Sequence, residues 1–281
     1  MAEVAAASVA ALRKQTGAGM MDCKRALEAA GGDLEAAKDW LRAKGLAGAG
    51  KRAGRAAEQG AVDFVVEGGV GALVELTCET DFVAKGADFT GLLAALVHHV
   101  ARHGDSDLAA QPFEGGTVGD TITQLAAKLG ENIGLGRVVH YETADGLLDG
   151  YRHVQNDRGT IGVLVELGGV DLSDPKAREV AHDIALHIAN SAPRYLTRAE
   201  VPADAIDKER AVLEQLTRNE GKPEEAIPKI VEGRLDGFYK DHVLVDQPFV
   251  RDPKTTVGKL VEALGAKVRV RRFARVMVGE D

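Results

Sequence analysis

The sequence predicts an α+β protein: an N-terminal three-helix unit, then an α+β core that occurs twice, with a helical hairpin inserted in the second copy. Three observations carry this. Residues 3–45 place apolar residues at helical spacing between glycine stops. From Gly60 the apolar period switches from helix to strand. The order of elements between 60 and 143 then returns between 144 and 281.

In the first unit (1–45), Val4, Val9 and Leu12 begin an apolar stripe that stops at TGAGMM, and DCKRALEAA ends at Gly31-Gly32. Asp33 caps LEAAKDWLRAKG, which sets Leu34, Ala37, Lys38 and Leu41 on one face with Trp40 at its edge. A unit this small has a thin core and leaves apolar surface outside. It resembles the ubiquitin-associated type of helical domain. Residues 46–59, LAGAGKRAGRAAEQ, read as a basic, partly helical linker.

The first core copy (60–143) opens with strands AVDFVVE and GALVELTCE around Gly68-Gly69. A helix in FTGLLAALVHHVARHG, the stretch QPFEGGTVGDTITQLAAKLG and a strand GRVVHYE follow. The second copy (144–281) repeats this with GYRHVQ, IGVLVELGG, AREVAHDIALHIANS, QPFVRDPKTTVGKLVEALG and RVRRFARVMV. The copies diverge in two places, and divergence between duplicates points to function. The second has an insertion at about 200–245, and the first has TCETDFVAK where the second has GGVDLSD. The insertion reads as a helical hairpin, with Ile206, Leu213 and Leu216 in one stripe. Ile227, Ile230, Val231, Leu235 and Phe238 form the other, across a turn at NEGKP. Pro223 falls early in the second helix, and Pro228 implies a later start or a kink.

Composition narrows the function. A net charge of −8 opposes general nucleic-acid binding, although local basic clusters remain open. No apolar run approaches the roughly 20 residues of a membrane helix, and the N-terminus begins with an acid, unlike a signal peptide. Two cysteines, Cys23 and Cys78, make neither a disulfide framework nor a zinc quartet. The expectation is a cytoplasmic protein with free thiols.

Candidate chemistry fails on context. GLAGAGKR nearly matches a phosphate loop, but Arg52 replaces the hydroxyl residue and the stretch follows a helix. GENIGLGR lacks the order of a dinucleotide fingerprint. His98, His99, His103, His182 and His187 have no zinc-like ligand set beside them and read as core or surface residues. Cys78 has no companion motif for a nucleophile. KVRVRRFARVMV reads as an edge strand whose arginines discourage edge pairing, with contact to RNA or an acidic partner as the other reading. Of Met20 and Met21, one is expected to pack inward and one outward.

Asp81-Phe82 remains. Phe82 is either a core residue, with Leu172 as its counterpart in the second copy, or an exposed aromatic anchor on a strand-to-helix corner. We favour the second.

The segments LRKQTGAGMMDCKRALEAAGGDLEAAKDWLRAKG, CETDFVAKGADF, IGVLVEL, HIA and GKPEEAIPKIVEGRL together resemble the bacterial translation elongation factor Ts family, in the same order and over nearly the whole chain. The resemblance implies a nucleotide-exchange factor for the GTPase elongation factor Tu, with no catalytic residues, cofactor or metal of its own. It implies no direct contact with nucleic acid or membrane, and leaves a homodimer or a 2:2 complex open. Thr80, Asp81, Phe82 and Val83 would form a wedge that dislodges magnesium: Phe82 enters an apolar crevice, Asp81 bonds the displaced element and the phosphate-loop peptide flips. Arg13, Met20 and Met21 match the family's N-terminal contact surface. Lys51 and His153 match other interface positions, and Phe249 and Val250 lie near a further contact region. Some members carry an extra C-terminal helix that VMVGED leaves no room for.

Overall fold

The structure, a computed structural model, describes residues 4–16 and 18–280, without the side chains of Leu46, Ala47, Ala49 and Lys51. Three helices come first: α1 (Ala6–Thr16), α2 (Met20–Ala29) and α3 (Leu34–Arg52). Leu12, Cys23, Ala26, Leu27 and Ala37 are buried between them, with Leu34, Trp40 and Leu41 packed against the cluster. Gly31 and Gly32 take the left-handed φ values, 62° and 92°, that end α2. Asp33 Oδ1 accepts the amides of Glu35 and Ala36 and so starts α3.

α3 runs on through residues read as linker. Alanine favours helix there, and tertiary contact holds the end. A Cβ on Gly45 would lie 2.9 Å from the Ala127 methyl, and Arg52 Nη2 donates to Ala126 O at 3.2 Å. The irregular stretch shrinks to 53–58. A correction concerns the methionines. Met20 and Met21 are both outward, 53% and 63% exposed, because Cys23, Ala26 and Leu27 already supply the inward face of α2.

The first core copy comprises β1 (Gln59–Glu67), β2 (Val70–Cys78), α4 (Asp81–Ala84), α5 (Ala87–His103), the two-residue strands β3 (Pro112–Phe113) and β4 (Gly116–Thr117), α6 (Val118–Leu129) and β5 (Gly134–Glu142). The second comprises β6 (Leu147–Gln155), β7 (Arg158–Gly168), α7 (Pro175–Ser191), then α8 (Ala203–Asn219) and α9 (Ile227–His242) as the insertion. It closes with β8 (Pro248–Phe249), β9 (Asp252–Thr256), α10 (Val257–Glu262) and β10 (Arg269–Met277). Both copies make a three-stranded antiparallel sheet in the same order, β1-β2-β5 and β6-β7-β10.

The repetition reaches individual hydrogen bonds. His99 Nε2 lies 2.7 Å from Gln111 Oε1 with the Phe113 ring beside it, and His187 Nε2 lies 2.9 Å from Gln247 Oε1 with Phe249 beside it. The threonine before each following helix, Thr117 or Thr256, caps it. These histidines are therefore structural. Among the described residues no group of three or more His, Cys, Asp or Glu could hold a metal ion.

Side chains alternate across each strand, so each sheet has two packed faces. Ala72, Val74 and Leu76 pack with Phe89 and Leu96 of α5 and Val118 and Ile122 of α6. Val163, Val165 and Leu167 pack with Val180, Ile184 and Ile188 of α7. Each such buried Val, Leu, Ile or Phe side chain contributes about 1.5–3 kcal/mol. The opposite faces meet each other through Val62, Leu73, Leu164 and Val276, giving four layers, helix–sheet–sheet–helix. Glycines allow the close approach. A Cβ on Gly162 would stand 2.3 Å from Val62 Cγ1, and one on Gly150 would stand 2.4 Å from Phe64 Cε2.

Two acids occupy matching places on the inner faces, Glu75 and Glu166, both buried. Glu75 accepts the amides of Arg137 and Gly279. Glu166 takes Arg271 at 3.0 Å and Arg272 at 2.6 Å. The arginines of β10 therefore differ from expectation. β10 is an edge strand, but Arg271 and Arg272 neutralise a buried acid on the neighbouring strand.

In the insertion, Ile227, Val231 and Leu235 are buried against Ile206, Leu213 and Tyr239. Pro228 sits in the first turn of α9, so the helix starts after a short 3-10 turn at Glu224–Ala226. Leu216, expected in the stripe, is exposed. Thr217 takes the buried place, donating to Leu213 O and accepting from Arg234 Nη1.

Candidate protein-docking site

The first strand-to-helix corner begins where β2 ends. Leu76 and Cys78 point into the core, and Glu79 and Thr80 leave the sheet. Thr80 is extended (φ −128°, ψ 151°) and its Oγ1 accepts the Val83 amide at 3.4 Å, which opens the single turn α4. Ala84 is buried and Val83 half-buried against the core, so they hold the turn down. Phe82, just before them in sequence, faces away and is 82% exposed. The core reading of Phe82 is thereby excluded. Leu172 on the opposite corner is also exposed.

The corner is tied from a second loop. The Glu131 carboxylate accepts the Glu79 amide at 3.1 Å, the Thr80 amide at 3.0 Å and the Thr80 hydroxyl at 2.6 Å. In return Glu79 Oε1 accepts the Asn132 amide at 2.7 Å. Asn132 Nδ2 donates to Arg55 O at 2.7 Å, and Arg55 reaches Glu79 at 3.4 Å. Cys78 Sγ donates to Thr80 O at 3.1 Å. Burial, then the Glu131 charge, pushes that thiol up to about 11, so Cys78 stays protonated and unreactive.

Asp81 faces solvent and pairs with Lys85 at 2.7 Å. The hydrogen bond from Lys85 holds its carboxyl below the usual range. Lys85 Nζ also lies 6.0 Å from the Phe82 ring centroid. The result is an aromatic ring beside a carboxylate and an ammonium, on a backbone fixed from behind.

The other candidates lie apart from this corner. Arg13 is exposed on α1, and Met20 and Met21 are exposed at the start of α2. Lys51 falls in the last turn of α3, and its side chain lies outside the described residues. His153 is exposed on β6, with Nδ1 3.2 Å from the Tyr151 hydroxyl. Phe249 is a correction. It is only 4% exposed, inside the second core beside His187, and cannot present its ring to a partner. Its neighbour Val250 is exposed, while its amide donates to His187 Nδ1.

Neither glycine-rich stretch can cradle phosphate. GLAGAGKR is inside α3, where amides are spent on the helix, and GLGR lies along β5. Among the described residues no helix is long and apolar enough to cross a membrane.

Sequence reasoning missed Glu131, Asn132, Arg55 and the pairing role of Lys85. The signal for the first two was available: an acid and an amide directly after Gly130, the left-handed residue that ends α6.

A duplicated α+β core that carries its most exposed large apolar side chain on a braced corner offers a candidate docking surface. Its family is equally plain. Residues 79–280 match the family model described as Elongation factor TS. The chain is 47% identical over 284 residues to a Micrococcus luteus protein named Elongation factor Ts, covering 99% of this chain and all of that one. Proteins of the same name from Streptomyces avermitilis (47% over 287 residues, 99% and 100% covered) and Rhodospirillum rubrum (45% over 292 residues, 100% and 94% covered) agree. The chain belongs to the elongation factor Ts family, a family of translation.

Proposed function

We propose that this chain is a guanine-nucleotide exchange factor for the GTPase elongation factor Tu, acting in the cytoplasm during polypeptide elongation. The single observation that carries the reading is Phe82, exposed on a corner that Glu131 braces. An exposed ring next to charged neighbours, on a backbone that cannot retreat, loses little freedom on docking, and such aromatic anchors dominate interface energies.

In this reading Phe82 enters an apolar crevice near the nucleotide's magnesium site. Asp81 leaves Lys85 to bond the displaced element, while Thr80 and Val83 keep the turn in shape. Magnesium is lost and the phosphate-binding loop rearranges. The N-terminal unit, a ubiquitin-associated-like domain, places Arg13, Met20 and Met21 against the same GTPase, and unbranched, polarizable methionine side chains suit an adaptable contact. Lys51, His153 and Val250 extend the interface, and α8 with α9 forms a short coiled-coil arm. Exchange follows from linkage: the factor weakens nucleotide binding by the same factor by which nucleotide weakens factor binding.

The test is stopped-flow release of a fluorescent GDP analogue from the cognate elongation factor Tu, with wild type and Phe82→Ala. The expected result is strong acceleration by wild type and a loss of about tenfold or more in the variant, the range of a buried aromatic hot spot. No acceleration by folded wild type overturns the function. Acceleration that Phe82→Ala leaves intact removes Phe82 from the mechanism.

A further inference from the structure

The two core copies provide an internal comparison for the corner. Strand register fixes the correspondence: Gly134 opens β5 opposite Thr77, and Arg269 opens β10 opposite Gly168. Counting back from those strand starts, Glu131 and Asn132 correspond to Ala266 and Lys267. The second copy therefore has no carboxylate where the first has Glu131.

It needs none, because there the two loops touch through backbone. A Cβ on Gly169 would lie 2.3 Å from Lys267 O, so the corner after β7 is held by direct contact. In the first copy the corresponding gap is bridged by side chains. Glu131 takes two amides and a hydroxyl from Glu79 and Thr80, and Glu79 takes the Asn132 amide in exchange. Only the copy with the exposed ring has this reciprocal brace.

We propose that Glu131 is a positioning residue for the exchange reaction: its carboxylate locks the backbone of Glu79 and Thr80, so that α4 starts at one fixed angle and Phe82 is held ready to dock. The proposal rests on the exchange-factor reading for its function, though not for its geometry. Four features argue for an active brace over an ordinary loop cap. Hydrogen bonds to an ionised carboxylate are the stronger kind. Their targets are the two residues that immediately precede the turn. The same carboxylate takes the Thr80 hydroxyl, so it orients the group that caps α4. Next to it, Asn132 and Arg55 grip the segment that follows α3, so the loop after α6 fixes the corner through Glu131 and the tether through Asn132.

Glu131 is half-buried with its carboxylate engaged by Glu79 and Thr80, so it acts on exchange through Phe82, while the tether of the N-terminal unit is held by Asn132 and Arg55. Removal of Glu131 lowers the rate at saturating factor and leaves the half-saturating concentration close to that of wild type, since Met20, Met21 and the rest of the surface are untouched. A lost contact residue outside the corner would do the reverse.

The experiment combines two readouts on Glu131→Ala, Glu131→Gln, Phe82→Ala and the double variant Glu131→Ala/Phe82→Ala. Amide hydrogen exchange of free protein reads the brace alone. The Glu79 and Thr80 amides should exchange at least about tenfold faster in Glu131→Ala, the loss expected for hydrogen bonds to a charged group. Amides inside β2 should keep their wild-type rates. Stopped-flow GDP release reads the function. The saturating rate should fall about tenfold, within what misplacement by an ångström can cost. The double variant should be no slower than Phe82→Ala, because a group that acts through Phe82 has nothing left to position. Glu131→Gln retains a carbonyl acceptor and should recover much of the rate, and it serves if Glu131→Ala fails to fold.

Unchanged exchange at Glu79 and Thr80 overturns the brace. Wild-type release rates in Glu131→Ala beside a slow Phe82→Ala overturn its role in exchange and leave the exchange-factor reading standing. Additive losses in the double variant overturn action through Phe82. If wild type itself fails to speed release, the exchange-factor reading falls, and the role proposed for Glu131 falls with it.

Discussion

The Asp81 carboxylate lies 2.7 Å from the Lys85 ammonium, one helical turn along α4 and beside the exposed Phe82 ring. The Asp81 acid is thus already satisfied within its own turn. Under the exchange-factor reading, docking exchanges this ion pair for a new one.

That pairing has a titration signature. The Lys85 hydrogen bond, ahead of an opposing effect of desolvation, lowers the Asp81 pKa. A lowered carboxyl pKa adds stability above the ordinary aspartate value, about 3.9, and the addition is lost as pH falls through the folded value. In Lys85→Ala the Asp81 midpoint should move up toward the ordinary range, measured by NMR of its carboxyl carbon. A midpoint that stays low would assign the shift to something other than Lys85.

Phe82 and Phe89, seven residues apart, should respond oppositely to truncation. Phe82→Ala removes an exposed ring and should change unfolding free energy by no more than about 0.5 kcal/mol in urea titrations. Phe89 is wholly buried between β2, α5 and α6, so Phe89→Ala should cost about 3–5 kcal/mol. Equal costs would mean that Phe82 packs inward in solution.

Glu166 gives the clearest acid dependence. Burial alone would raise its pKa; hydrogen bonds from Thr143, Arg272 and Arg271 outweigh that and lower it. Its stabilising effect is therefore complete above the unfolded glutamate pKa, about 4.3, and disappears as pH falls through the lower folded value. Glu166→Gln takes the carboxylate from Arg272 while Arg271 keeps Asp145, and should be about 1–3 kcal/mol less stable at pH 7. The gap to wild type should narrow below about pH 4.3. A gap constant with pH would show that the charge of Glu166 contributes nothing.

Much of this was legible in the residues. QPF and LVEL, each occurring twice, exposed the duplication, and both mark structural positions: the histidine–glutamine bonds and the buried acids Glu75 and Glu166. TCETDFVAK marked the corner because the second copy lacks it. What stayed hidden depends on contacts distant in sequence. α3 outlasts its expected end because α6 receives Gly45 and Arg52. Phe249 looked as free as Val250, since only its seat beside His187 separates them. The meeting of the two sheets was invisible because Gly150 and Gly162 read as gaps in strands and turn out to be the points of closest approach.

The shared interior between the sheets also constrains how the chain is made. β1 and β2 leave the ribosome well before β7, which begins 80 residues after β2 ends at Cys78. At about 5–20 residues per second this interval is on the order of ten seconds. Throughout it Val62 and Leu73 lack their cover, Leu164 and Val276. A nascent chain therefore carries an unclosed apolar face across this whole stretch of its synthesis, and its vulnerability to aggregation and proteolysis is set by translation speed across that interval.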